Sequence, residues 1–438
     1  MLGYYLYLGL RSLRRNPVLT ALMVLAIGFG VGASMTTYAV FRAVSGNPLP
    51  DKSNQLFVPQ IDNWGPRNKR PDGKIPDSLS YIDAMALMQA HQAQRQTAIY
   101  PVGFNAVPQD TTSKPFAVRG YATYSDFFSM FEVPFRYGGG WAASQDEQRG
   151  NVVVISNKLN QKLFGDANGV GHILNLDGHD YSVVGVTRDW NPQPRFYDVN
   201  NGNGFAATPD VFMPFTRAID IQTHTSGGTD CSGTTGQAPG WQGLLNSGCV
   251  WISFWAELPS AQAIQHYQNF LENYAADQQR SGRFQWVAKT KLDNLTQWLD
   301  QEHAVPPESS LASMLSLGFL LVCLVNTIGL LLAKFMRRAS EIGVRRALGA
   351  SRLQIHLQFL AEAAMVGLAG GLLGLLLTVL GVFGTGLVFD PEIARLAHVN
   401  PSLVALTLLL ALFATLVAAF YPTWRAARVQ PAWQLKSN

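Results

Sequence analysis

The sequence predicts a membrane protein of four transmembrane α-helices, with a large α+β domain inserted between the first and second. Three observations carry this reading. The 438 residues are 47% apolar and only 14% charged, where a soluble chain carries about a quarter charged residues. Four apolar runs reach the roughly 20 residues that cross a bilayer core. Between the first two runs lies a long polar stretch with strand and helix patterns of its own.

The first span is placed at 17–42, after a segment 1–16 in which Leu2, Leu6, Leu10 and Leu13 recur at helical spacing and arginines gather toward the end. That pattern suits an amphipathic helix in the membrane interface. The apolar run is too long for the 7–15-residue core of a cleaved signal peptide, so an uncleaved anchor is expected. The other spans are placed at 311–335, 352–389 and 402–422, joined by a segment at 336–351 and a short loop at 390–401, with a tail at 423–438. Lys and Arg near span ends set orientation. Arg11, Arg14 and Arg15 precede the first span, Lys334 to Arg352 supply six basic residues between the second and third, and Arg425, Arg428 and Lys436 follow the fourth. Both termini and the 336–351 segment are therefore expected in the cytoplasm.

The insert at 43–310 is expected on the opposite side as an α+β domain. Asn151–Ser156 is a short β-branched run. His172–Asp189 reads as two strands around the turn Asp177-Gly178. Helical patterns occur at 77–92 and 260–279. At about 191–248 the composition shifts to Asn, Gly, Thr and Ser, which reads as a loop-rich insertion. It holds Cys231 and Cys249, while the third cysteine, Cys323, lies in a span. Two cysteines about 18 residues apart on an oxidising side predict a disulfide. A metal site is the alternative, with only His224 nearby to support it.

No phosphate loop, HExxH or GxSxG occurs, and the carboxylates of the insert form no evident pair, so no catalytic or metal constellation is predicted. Basic residues sit beside apolar runs without interleaved aromatics, which argues against nucleic acid. The spans are nearly free of ionisable groups, Glu362 excepted, unlike an ion-coupled carrier. Gly367/Gly371 and Gly370/Gly374 offer small residues at four-residue spacing for close helix packing.

The segment "RRASEIGVRRALGAS" carries the strongest local signals. Glu341 precedes Arg345 by four residues, the favourable order for an ion pair. Glu341, Val344 and Leu348 fall on one face. Gly349 is placed to stop the helix. Ser351 starts the next one, because "SRLQ" reads as a capping box with Gln354. A short capped helix with an apolar face of its own is expected to dock a partner; the plain alternative is a set of arginines that only fix topology.

This segment and its continuation, "RRASEIGVRRALGASRLQIHLQFLAEA", resemble the signature of the MacB/FtsX family of ABC transporter permeases. The opening "LRSLRRNPVLTALMVLAIGFGVGAS", the closing "YPTWRAARVQPAWQL" and the central "VVVISNKLNQKLFGDANGVGHILNLDGHDYSVVGV" are similar to other parts of that family. The resemblance implies a bacterial inner-membrane permease with a periplasmic core domain. A separate ATP-binding subunit, as a dimer, would hold ATP and Mg, and this chain would bind no cofactor and hydrolyse nothing itself. Glu341, Ile342, Gly343, Val344, Arg345, Arg346, Leu348, Gly349, Ala350 and Ser351 would form the ATPase-coupling helix. A second permease copy or a paralogue would complete the membrane pair, with a periplasmic adaptor and an outer-membrane channel as further candidates. Efflux of a drug, peptide or lipid is the expected output. The alternatives on the same fold are a lipoprotein-releasing permease and a non-transporting FtsX-like anchor that signals to a periplasmic partner.

Overall fold

The computed structural model describes residues 16–66, 68, 70, 72–108, 114–201, 204–231, 240–387 and 399–427. The helix expected at 1–16, most of the 390–401 loop and most of the 423–438 tail lie outside the described residues. The chain forms two compact units: residues up to 45 together with those from 306 onward, and Gly46–Val305.

The membrane unit holds four long apolar helices, Pro17–Val44, Pro307–Met336, Arg352–Thr385 and Pro401–Ala427. Each is long and apolar enough to cross a bilayer. Prolines stand at the starts of the first and second, where a missing N–H costs nothing and the fixed φ is already helical. The third starts at a capping box: Ser351 Oγ accepts from Gln354 N at 3.2 Å and Gln354 Oε1 accepts from Ser351 N at 3.0 Å.

Hydroxyls inside the bundle have no water to bond, so most of them bond inward. Thr327, Thr378, Thr407, Thr415 and Thr423 each donate to the carbonyl four residues back in their own helix. Ser34 instead donates across to Ser316 O at 2.9 Å, which ties the first span to the second. The glycines divide by face. A Cβ on Gly370 would come within 2.7 Å of Ile27, and one on Gly374 within 3.1 Å of Val31, so this pair seats the first span. A Cβ on Gly367 would come within 2.8 Å of Thr415, and one on Gly371 within 3.0 Å of Ala411, so the other pair seats the fourth.

The inserted unit is an α+β domain on a sheet of eleven strands. These are β1 Leu56–Ile61, β2 Leu79–Ser80, β3 Arg95–Val107, β4 Phe116–Thr123, β5 Phe135–Gly138, β6 Val152–Ile155, β7 Ile173–Leu176, β8 His179–Thr187, β9 Val211–Pro214, β10 Val250–Glu257 and β11 Thr290–Asn294. Their order is β11-β1-β10-β3-β4-β9-β6-β8-β5, with β2 on β10 and β7 against β3 and β8. Both faces are covered, so successive residues of β3 feed different cores: Ala98, Tyr100 and Val102 one, Ile99 the other. The second core is aromatic, with Phe127, Phe131, Phe196, Tyr197, Phe212 and Trp255 meeting largely edge to face. The helix Ala261–Arg280 buries Tyr267, Leu271 and Ala275, one residue per turn. Asp177 and Gly178 both take positive φ, as the two-residue turn between β7 and β8 requires.

The structure corrects the reading of 191–248 as a loop-rich insertion. It contains β9, which pairs with β4 in parallel and with β6 in antiparallel and is buried throughout. Helices Phe215–Asp220 and Trp241–Leu245 follow. A four-residue strand among Asn and Gly carries too short an apolar run to stand out. Cys231 and Cys249 form the expected disulfide, with Cα atoms 4.2 Å apart.

Candidate coupling site

The segment between the second and third spans folds as the helix Ala339–Ala347, at the end of the bundle away from residues 44 and 307. Its C-terminal end is closed locally. Gly349 takes φ +99°. Its N–H bonds Arg346 O, and the N–H of Ala350 reaches back to Arg345 O. These are the two bonds of a Schellman stop, which consumes carbonyls that would otherwise be orphaned. Two residues later the capping box starts the third span, so helix and span are joined with almost no free backbone.

The helix has two contrasting faces. Ile342 is 3% exposed and packs into the bundle core with Phe335, Ile355 and Phe359. Val344 is 52% exposed and Leu348 83%. Between these faces runs a polar network centred on Arg338. Its Nη1 donates to both oxygens of Glu362, at 2.8 and 3.1 Å. Its Nε and Nη2 grip Glu341 at 3.1 and 3.2 Å. Arg345 donates to Glu341 at 2.8 Å and to Gln358 at 2.8 Å. Glu362 is 2% exposed, so its charge depends on these donors. One fork thus fastens the short helix to the third span, from a position next to the second.

The Glu341–Arg345 pair sits where helical spacing put it. Arg338 and Gln358 were not singled out from the sequence, and Glu362 was noted only as a lone acid. That lone acid in an apolar run was the available signal, since such a group needs a partner. The fork, across 24 positions, is not a local pattern. Among the described residues no group of three or more His, Cys, Asp or Glu side chains is placed to hold a metal.

Four apolar helices long enough to span a bilayer, an inserted α+β domain and a short helix between spans two and three describe a multi-pass membrane protein. Comparison with known proteins places it more narrowly. Residues 20–263, more than half of the chain, match the family described as MacB-like periplasmic core domain, and residues 313–431 match the FtsX-like permease C-terminal family. The chain belongs to this family, the MacB/FtsX-type ABC transporter permeases. Relatives include a probable export ATP-binding/permease protein MacB from Pseudomonas entomophila, 24% identical over 94% of this chain and 56% of that protein. The pyoverdine export ATP-binding/permease protein PvdT of Pseudomonas savastanoi is 24% identical over 97% of this chain and 58% of its own length. An uncharacterized ABC transporter permease, YvrN, from Bacillus subtilis is 23% identical over 72% of this chain and 69% of its own. The chain thus spans little more than half the length of the first two relatives. Among solved structures, the periplasmic region of MacB from Actinobacillus actinomycetemcomitans aligns over 59% of this chain and 96% of its own, at 12% identity and a TM-score of 0.36.

Proposed function

We propose that this chain is the permease subunit of an ABC-type mechanotransmission transporter in a bacterial inner membrane. Its termini and the Ala339–Ala347 helix face the cytoplasm and its α+β domain faces the periplasm, the orientation that the basic residues beside the spans favour. ATP and Mg are held by a separate dimeric ATPase subunit, a reading supported by the Bacillus subtilis relative whose name is that of a permease alone. The permease works as a pair, with a second copy or a paralogue. Closure of the ATPase pushes on the short helix, and the third span carries the motion across the membrane. Efflux is the output, in keeping with relatives named for macrolide and pyoverdine export.

One observation carries this reading. The helix presents Val344 and Leu348 outward while its opposite face is bolted to the bundle by Ile342 and the Arg338 fork. Apolar side chains displayed on a rigid mount are the anchors that fill a partner's pocket. The test uses the full chain in nanodiscs with the ATPase that co-purifies with it. Leu348→Ala and Val344→Ser should leave insertion and stability unchanged and abolish recruitment or stimulation of ATP hydrolysis. Stimulation at the wild-type level by both variants would refute the docking role.

A further inference from the structure

The inserted domain carries a second candidate site, away from its disulfide and its aromatic core. Among its described residues only three large apolar side chains are exposed: Val107 at 39%, Ile173 at 42% and Val287. Two of the three line one cleft. Its volume is about 520 Å³, within the range of small-ligand clefts. Val107 ends β3, Phe116 begins β4 and Ile173 begins β7, so three strand ends meet there. Leu163 and Phe164, from the last turn of the helix Asn157–Phe164, supply another apolar wall.

Among the described residues the charge lining this cleft is of one sign. Lys114 and Lys162 line it, and no carboxylate does among the described residues. Neither lysine forms an ion pair with a described residue. Lys162 instead rests its ammonium over the Phe116 ring, 3.1 Å from the centroid. A cation–π contact is a modest substitute for a carboxylate. The lysine stems extend the apolar surface while their heads stay available to an anion. An occupant that satisfies all of this is apolar over most of its length and carries one negative head.

We propose that this cleft binds a single-chain acyl carboxylate, with the chain along Val107, Ile173, Leu163 and Phe164 and the carboxylate between Lys114 and Lys162. The site stands independently of the coupling reading, because occupancy requires no ATPase.

The experiment uses the full chain in nanodiscs and a diazirine-bearing fatty acid as photoprobe. Adducts are mapped by mass spectrometry, with labelling of the spans as the internal control for probe in the bilayer. Peptides covering Val107 and Leu163–Leu174 should be labelled. Lys114→Gln/Lys162→Gln should cut that labelling about tenfold, the loss of at least one charge-assisted contact, while span labelling holds. Ile173→Asp should abolish it by placing a carboxylate in the apolar wall. The proposal is overturned if the cleft peptides stay unlabelled, if the lysine variant labels as wild type does, or if the probe's methyl ester labels equally well. Labelling only by a diazirine phospholipid would also overturn it, by assigning the cleft to membrane lipid.

Discussion

Replacing Arg338 by Met tests the polar network at the base of the bundle. The side chain is only 12% exposed and grips two carboxylates, Glu362 at 2% and Glu341 at 29% exposure. The cost comes chiefly from the more buried acid. Breaking a buried ion pair costs about 3–5 kcal/mol because the remaining charge keeps its desolvation penalty. The partly exposed Glu341 places this case near the lower end, about 3 kcal/mol. Glu362→Gln should cost less, roughly 2 kcal/mol, because Arg338 still holds Glu341. The double variant removes the charge that each single variant strands. Its loss should therefore fall short of the sum by more than about 1 kcal/mol, well outside the additivity of independent sites. Unfolding free energies of the full chain, measured by SDS titration in mixed micelles, give the cycle. Additivity within about 0.5 kcal/mol would show that the fork does not fasten the helix to the third span.

Three other outcomes are expected. Cys231→Ser opens a loop of 18 positions and should cost about 3 kcal/mol in the chain-entropy model; an unchanged melting temperature in non-reducing buffer would contradict this. Asp198 is buried beneath a 2.6 Å hydrogen bond from Tyr121, and desolvation pushes its pKa from 3.8 up to about 6. The native state then holds a proton that the unfolded chain has released. Stability should therefore fall as pH rises from about 4 to about 6, by up to roughly 3 kcal/mol. Asp198→Asn should flatten that slope, so a melting-temperature difference between the two proteins that does not vary with pH would count against it. Gly370→Leu drives a side chain into Ile27 and should cost at least 1–3 kcal/mol, roughly the range for overpacking. Gly384→Leu, with open space at its Cβ, should be close to neutral in the same SDS titration.

The features legible in the sequence are those whose physics is local. Twenty apolar residues have one comfortable place to be. Ser351 and Gln354 are three apart and bond each other; Glu341 and Arg345 are four apart and do the same. Gly349 takes the positive φ that a helix stop needs. The features not legible depend on pairing at a distance. Val211–Pro214 becomes a central strand only because Gly120–Thr123, some 90 positions earlier, lies beside it. At Gly120 that approach is so close that a Cβ would fall 1.8 Å from Val211 O. No propensity of the four residues VFMP announces such a neighbour, and the Asn- and Gly-rich flanks argue against it.

The same distinction bears on the candidate site. The polar groups of the Ala339–Ala347 helix are held by a Schellman stop at its C-terminal end and by the Arg338–Glu341–Arg345 chain along its side. Its inner face is settled too, by Ile342. What its outer face presents is apolar: Val344 and Leu348, which the proposed orientation puts in water rather than in lipid. A topology signal needs only the arginines. It requires neither those two side chains nor a rigid mount to hold them. Sequences break local consistency chiefly where function requires it, and the break here falls on the surface of the helix that the permease does not itself cover.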